Sequence, residues 1–518
     1  MLPPKIKLLS TMLTLLSAAL CFGQPSVLTW HYDNMRKGVN AKETILHPGN
    51  VVWTQFGKLF SQPVDGAIVG QALYLSSVSI PNKGVHNVVY VATMHDTVYA
   101  FDADNNLGGN AKPLWKARVL PSDATPVPIN VQGGGGTTGW NEVGVVSTPV
   151  IDPTTGILYI VAKDYLNGTV SNRLYGLSVT TGARKFNPVI ISANFENGGN
   201  TYIFNNLTQV NRPALLLSRG VIYIAFGSNG GNGLEQGWVI AYSAATSASP
   251  SPVFRGAFDD EPGKNTAAIW QKGAGLSADS AGHIYGETGD GPVEPGTNLG
   301  QSVFRLTQTS GGLSLTDWFT PYNWSYLRSH DLDLNDSVLI LPNQPGSHPY
   351  LAMAVGKAGT LYLLDRTNMG HWCSTCGNGD TQIVQELPNA VGHQTGSLVY
   401  WNGRVYSSGV SSPIMAWSLN NGLLSTSPVA QSAMVAGEHS PVLSANGTSD
   451  GILWQLQGSG PNALQAFDAM TLKRVYSAGQ SNGRDALPSL PHFAQLMEVN
   501  GKVYVGTNSS LVVFGLLQ

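Results

Sequence analysis

The stretch Val88-Val89-Tyr90-Val91-Ala92-Thr93-Met94-His95-Asp96-Thr97-Val98-Tyr99-Ala100-Phe101-Asp102 decides the fold. It reads as two short strands joined by a tight polar turn at His95-Asp96. The second strand alternates large and small residues, the period of a strand packed on both faces by neighbouring sheets. Its first half returns as Gly156-Ile157-Leu158-Tyr159, Gly220-Val221-Ile222-Tyr223, Gly282-His283-Ile284-Tyr285, Leu351-Ala352-Met353-Ala354, Gly403-Arg404-Val405-Tyr406, Gly451-Ile452-Leu453-Trp454 and Gly501-Lys502-Val503-Tyr504. Its second half returns as Tyr175-Gly176-Leu177-Ser178, Ile240-Ala241-Tyr242-Ser243, Phe304-Arg305-Leu306-Thr307, Tyr362-Leu363-Leu364-Asp365, Met415-Ala416-Trp417-Ser418, Gln465-Ala466-Phe467-Asp468 and Val513-Phe514-Gly515-Leu516. Thr180-Thr181-Gly182 and Asn420-Asn421-Gly422 supply following turns, where a positive φ favours Gly.

The anchors Tyr90, Tyr159, Tyr223, Tyr285, Met353, Tyr406, Trp454 and Tyr504 lie between 48 and 69 residues apart. Propeller blades run about 40–50 residues, so the last three intervals fit directly. The first four carry insertions, expected as loops on one rim, where specificity often resides. Eight copies predict an all-β, eight-bladed propeller of four-stranded blades. The last unit stops after its third strand, and the segment from Phe56 to Val64 precedes the first unit like an orphan outer strand. Pairing the two closes the ring and removes an exposed edge.

Composition agrees. Charged residues are 11% of 518, with 60 glycines, and net charge is -3 from 28 basic and 31 acidic side chains. No basic run is present to neutralise a phosphate backbone, which argues against nucleic acid as a partner. Residues 1–23 read as a secretory signal: Lys5 and Lys7, an apolar run from Leu8 to Phe22, then Gly23. Residues 24–518 then form a single propeller domain. The run from Leu8 to Phe22 is short of the roughly 20 residues of a membrane span, and no second long apolar run appears, so a secreted or periplasmic protein without an integral membrane segment is expected. Cys373 and Cys376 remain after signal removal and read as a disulfide stapling an exposed loop. The alternatives are a redox-active pair, or half a zinc site with His371 whose further ligands are not evident nearby.

The phrase Val98-Tyr99-Ala100-Phe101-Asp102 followed by Leu114-Trp115, and Leu174-Tyr175-Gly176-Leu177 followed by Thr180-Thr181-Gly182, resembles the repeat of the pyrroloquinoline-quinone-type (quinoprotein-like) propellers. The resemblance covers nearly all of the mature chain. It implies either a dehydrogenase holding pyrroloquinoline quinone and Ca²⁺ on the propeller axis, or a non-catalytic scaffold such as an outer-membrane assembly factor. The adjacent cysteine pair of the methanol- and ethanol-oxidising members is absent. Gly377 after Cys376 also breaks the Cys-x-x-Cys-His haem motif.

Ligands of propellers bind where the innermost strands meet the central channel. The polar and aromatic residues at those points are Gln71, Glu142, Arg212, Trp270, Gln271, Asp331, Asp333, His393, His439 and His492. Arg212 suits bidentate pairing with a carboxylate, and Trp270 suits stacking on a planar ring. Gln271, His393 and His439 complete the expected cofactor-binding set. Asp333 and Glu142 are the expected catalytic bases, and Asp331 with Asp333 the expected oxygen ligands of a cation. Against each stands the plain alternative of a polar side chain solvated at a channel mouth. His393, His439 and His492 invite a zinc reading that matters only if the ring brings them together. Asp331 to Asp336 opens like a Ca²⁺ loop but carries Asp336 at the sixth position and Pro342 at the twelfth. Gly133-Gly134-Gly135-Gly136 is a flexible insertion, since no Lys-Ser/Thr follows it. His95-Asp96 reads as a structural turn. The function expected is an exported scaffold binding a protein, glycan or small molecule. The alternative is a pyrroloquinoline-quinone-dependent oxidoreductase acting on an alcohol or sugar.

Overall fold

The computed structural model describes residues 26–132, 139–228, 236–264, 266–334, 336–394, 396–410, 412–435, 439–458 and 462–517. The expected signal peptide, 1–23, and Gly133 to Gly136 lie outside them. Among the described residues the strands form eight antiparallel blades, mostly of four strands. Blade 1 runs from the inside outward as Leu73–Ile80, Gly84–Ala92, Thr97–Asp102 and Trp115–Arg118. Blade 8 is Leu496–Val499, Lys502–Gly506 and Ser510–Leu516, and its outer strand is Phe56–Pro63. Phe56 pairs with Leu516 and Pro63 with Ser510, so the ring closes through the N-terminal strand as expected.

The repeat has a packing reason. Each anchor sits on a second strand opposite a third-strand partner that is usually small: Tyr90 faces Ala100, Tyr159 Gly176, Tyr223 Ala241, Tyr406 Ala416 and Trp454 Ala466. The small partner leaves room for the ring to cross to the next blade. Tyr90 Oη donates to the Val179 carbonyl of blade 2 at 3.0 Å, Tyr406 to Ala469 of blade 7 at 3.0 Å and Tyr504 to Ala103 of blade 1 at 2.9 Å. Tyr159 accepts from the Ala245 amide of blade 3 at 2.8 Å. These hydroxyls therefore staple neighbouring blades, each contributing about 1 kcal/mol. Apolar clusters fill the blade–blade interfaces; Tyr504 and Val513 of blade 8, for example, pack with Tyr74 and Val91 of blade 1. Burying such a side chain stabilises by roughly 1.5–3 kcal/mol.

One element has no sequence signature. Residues 26–43 run as a strap around the inside of the ring and touch every blade. Val27 exchanges backbone hydrogen bonds with Tyr74 of blade 1, and Leu28 accepts from Ile151 of blade 2. Asn34 Nδ2 donates to Leu217 of blade 3, while the Asn34 carbonyl accepts from Ala278 of blade 4. Met35, Lys37 and Gly38 accept from Ile340, Tyr400 and Leu443 of blades 5, 6 and 7. Tyr32, Asn40 and Glu43 bond to Glu498 and Gly501 of blade 8. Because successive strap residues face different blades, no period of two or of 3.6 arises.

The insertions do not all gather on one rim. The hairpin Asn194–Asn197 with Asn200–Ile203 lies at the outer edge, where Phe195 meets Phe258 of blade 3's outer strand edge-on at 5.9 Å. No helix among the described residues is long and apolar enough to cross a membrane.

Candidate functional site

The inner strand of blade 4 is interrupted at Trp270-Gln271-Lys272-Gly273. Gln271 and Lys272 hold φ of 42° and 45°, and Gly273 follows at 85°. Two successive non-glycine residues in the left-handed region cost of order 1–3 kcal/mol each, and such strain gathers at functional sites. The break delivers Trp270 to Arg212 of blade 3, whose guanidinium carbon lies 5.0 Å from the Trp270 ring centroid. Trp140, ahead of blade 2's inner strand, lies at 5.3 Å and Phe493 of blade 8 at 4.6 Å. Side chains from blades 2, 3, 4 and 8 can meet only on the axis.

Arg212 is 7% exposed. Its Nη2 has no hydrogen-bond partner. Burial pushes its pKa down to about 10, and no neighbouring carboxylate counters that shift. Around it stand further buried polar atoms without partners: both side-chain heteroatoms of Gln271, Nε2 of Gln71, Nε1 of Trp140 and Oγ of Ser147. Beside them the strap places Trp30 and His31, stacked at 3.7 Å. Trp30 Nε1 donates to Gln495 Oε1 at 3.1 Å, and the His31 amide donates to Gln71 Oε1 at 3.2 Å. Burial pushes the His31 imidazole down to about 3, so the ring is neutral.

An acidic group occupies the side of blades 4 and 5. Carboxylate oxygens of Asp290, Asp331 and Asp333 lie within 4.8 Å of one another. Lys357 Nζ stands 2.6 Å from Asp331 and 2.8 Å from Asp333. Burial would raise the Asp333 carboxyl, but Lys357, Asp331 and Lys272 together more than offset it and hold it below the ordinary range. Glu287 is fully buried; burial, then Asp336, pushes it up to about 8. Burial pushes Lys272 down to about 8, against the attraction of Asp336 and Asp333. The Asp336 amide donates to Glu287 Oε2 at 2.7 Å, and Ser397 Oγ donates to the Asp336 carboxylate.

The other residues singled out in the sequence lie as follows. Glu142 is half-buried and pairs with His95 Nδ1 at 3.0 Å. Asp96 instead turns inward and is fully buried, so the His95-Asp96 turn splits between two environments. His439 is buried, and its carbonyl accepts from Gln455 Nε2 at 2.7 Å. The His492 ring lies 3.9 Å from Phe493. His393 pairs through its backbone with Val410, and its side chain lies outside the described residues. Cys373 and Cys376 form a disulfide. Sequence reading passed over Trp140, Lys272, Glu287, Asp290, Lys357 and Phe493. Trp140 and Phe493 adjoin positions it did select, and Asp290 ends a second strand within Gly289-Asp290-Gly291.

A closed ring of eight blades, mostly four-stranded, with charged and aromatic side chains on its axis defines an eight-bladed β-propeller. Within that class, the fold is that of the pyrroloquinoline-quinone-type propellers. The quinohaemoprotein alcohol dehydrogenase of Comamonas testosteroni superposes with a TM-score of 0.61 at 14% identity, covering 95% of this chain and 80% of that one. A europium-containing methanol dehydrogenase gives 0.61 at 12% identity, covering 94% and 98%. BamB of Moraxella catarrhalis gives 0.51 at 11% identity, covering 89% and 99%. No protein-family model matches the chain, and no curated protein matches it in sequence.

Pyrroloquinoline quinone is a planar tricarboxylate. The unpartnered Nη2 of Arg212 suits one carboxylate, half-buried Trp270 offers an aromatic face, and the Asp290, Asp331 and Asp333 oxygens suit a hard cation. On these counts the residues present fit the group.

Proposed function

We propose that the chain is an exported propeller that works as a ligand-binding scaffold, holding a small carboxylate on its axis through Arg212. Export is supported by the character of residues 1–23 and by the disulfide, a bond that persists in oxidising compartments. The observation that carries the reading is the guanidinium buried among Trp140, Trp270 and Phe493 with Nη2 unpartnered. An uncompensated buried charge costs several kcal/mol. Three aromatic faces return about 0.5–2 kcal/mol each; they hold the group in place and leave its edge for an anion. A carboxylate completes the site by a charge-assisted pair. Calorimetry of the purified protein against gluconate, galacturonate, benzoate, citrate and pyrroloquinoline quinone tests this. At least one should bind, and Arg212→Gln should weaken it roughly tenfold or more. Binding of none overturns the reading, as does binding unchanged in the variant.

The trio Asp290, Asp331 and Asp333 favours a second reading, a quinone-dependent dehydrogenase for an alcohol or sugar. The quinone, when bound, supplies the two-electron acceptor. Arg212, Trp270, Gln271, His393 and His439 would hold it, with Asp331 and Asp333 on its cation. Asp333, or Glu142, would take the proton from the substrate hydroxyl. Ca²⁺ is the ion to test first, and a lanthanide second, because a europium-containing enzyme shares the fold. Reconstitution with quinone and ion followed by desalting should leave cofactor absorbance and dye reduction. Asp333→Asn should then lower dye reduction by about 10²-fold or more. Loss of the cofactor on desalting removes this reading and leaves the scaffold standing.

A further inference from the structure

We infer that the axial ligand is a polyhydroxylated carboxylic acid, a uronate or an aldonate, bound by its carboxylate at Arg212 and by its hydroxyls at the buried amides beside it. The inference rests on the anion site proposed above and specifies what that anion carries.

With no cation at Asp290, Asp331 and Asp333, the charges favour a ligand with one carboxylate. Arg212 is the axial cation that faces no carboxylate. Lys357 lies between Asp331 and Asp333, and Lys272 faces Asp336, Asp333 and Glu287. Citrate or a phosphate monoester would set surplus negative charge against this acidic side.

The neutral polar groups then decide what else the ligand bears. Gln271 is fully buried with both heteroatoms unpartnered, and Gln71 Nε2, Trp140 Nε1 and Ser147 Oγ are likewise unsatisfied. Trp140 and Gln271 adjoin Arg212, and Gln71 and Ser147 connect to its segment through Thr148. Trp140 touches the guanidinium, and Gln271 follows Trp270, which touches it from the other blade. The Gln71 backbone N–H donates to Thr148 Oγ1 at 2.8 Å, and the Thr148 carbonyl accepts from the Leu215 backbone N–H, three residues along from Arg212. Each buried unsatisfied group costs about 1–3 kcal/mol, so the unsatisfied groups beside Arg212 call for a partner. The set mixes pure donors (Trp140 Nε1 and the amide nitrogens) with an acceptor (Gln271 Oε1) and the dual hydroxyl of Ser147. Hydroxyl groups donate and accept, so a run of them satisfies the whole mixture. An apolar acid such as benzoate satisfies none of it. The Trp140 and Trp270 indoles offer faces against which the C–H edges of a sugar ring pack.

The test is calorimetry of the full-length mature protein with galacturonate and gluconate. Galactose (the same ring without the carboxylate) and benzoate (a carboxylate without hydroxyls) are the comparisons. At least one sugar acid should bind roughly tenfold or more tighter than both. Gln271→Ala should weaken the sugar acid by a similar factor and change benzoate less than twofold. Benzoate binding as tightly as the sugar acids overturns this inference and leaves the Arg212 anion site intact. Galactose binding as tightly as galacturonate overturns both, and binding of none of the four overturns this inference. Should Gln271→Ala fail to fold, saturation-transfer NMR on the wild-type protein replaces it. Transfer from aromatic protons to the sugar-acid ring protons is expected, and its absence overturns the inference.

Discussion

Two buried arginines on the axis show how differently one residue type is used. Arg36 of the strap is fully buried, and its donors are occupied: Nε reaches the Leu276 carbonyl at 2.8 Å, and Nη1 reaches Thr29 Oγ1 at 2.8 Å and the Trp30 carbonyl at 2.7 Å. Burial pushes its pKa down to about 9, so it stays charged at neutral pH while tying the strap to blade 4. Arg212 is nearly as buried but stands among aromatic faces with Nη2 unpartnered. Truncation should separate them. Arg36→Met leaves buried carbonyls without donors and should destabilise by about 3–5 kcal/mol. Arg212→Gln strands no partner and should change stability by less than about 1 kcal/mol while removing ligand binding. Urea unfolding of the two variants checks the contrast; equal losses would mean that Arg212 serves the fold.

At the scale of the element, the ring-closing strand is secured at its start by one ion pair. Asp485 Oδ1 accepts from the Lys58 amide at 3.0 Å, Oδ2 accepts from Tyr476 Oη at 2.8 Å, and Arg484 lies 2.6 Å away. Arg484 Nη2 also donates to the carbonyls of Trp53 and Phe56, at 2.9 and 3.1 Å. Burial would raise the Asp485 carboxyl, but Arg484, Lys58 and Tyr476 hold it below its ordinary value. A carboxyl lowered in the folded state contributes stability above its unfolded pKa, near 4, and loses it as pH falls through the folded value. Asp485→Asn should therefore cost about 1–3 kcal/mol at pH 7 and flatten the acid limb of the stability profile. An unchanged acid limb would place the acid sensitivity elsewhere. This strand was legible in the sequence because it completes a repeat lacking its fourth member. The strap was not, since each of its residues answers to a different blade. The axis was legible only in part. Counting to the start of each inner strand reaches Arg212, Trp270 and Gln271, which the ring brings together. The same count passes over Trp140 and Phe493, because neither repeats from unit to unit. The positive φ at Gln271 and Lys272 leaves no mark in residue type, so Lys272 gave no local signal.

At the scale of the molecule, the strap decides how the ring comes apart. A propeller of similar blades has nearest-neighbour interfaces only, and such arrays lose cooperativity when one interface is weaker than the rest. The weak seam here should lie within blade 8, which the chain closes between strands distant in sequence, Phe56–Pro63 against Ser510–Leu516. The strap counters this. It bonds blade 1 through Val27 and blade 8 through Tyr32, Asn40 and Glu43, with the other six blades bonded in between. Opening the seam while the strap is seated must strip those bonds, so seam and ring should melt together. The wild-type protein is thus expected to unfold in urea as a single transition whose m-value reflects the whole ring. Removing residues 26–43 should lower the m-value and split the transition. Hydrogen exchange should then show the Ser510–Leu516 amides losing protection before those of Ile157–Leu166 in blade 2. A strapless protein that keeps one transition, the same m-value and the same order of exchange would show that the eight interfaces suffice, leaving the strap to hold Trp30 and His31 beside the ligand.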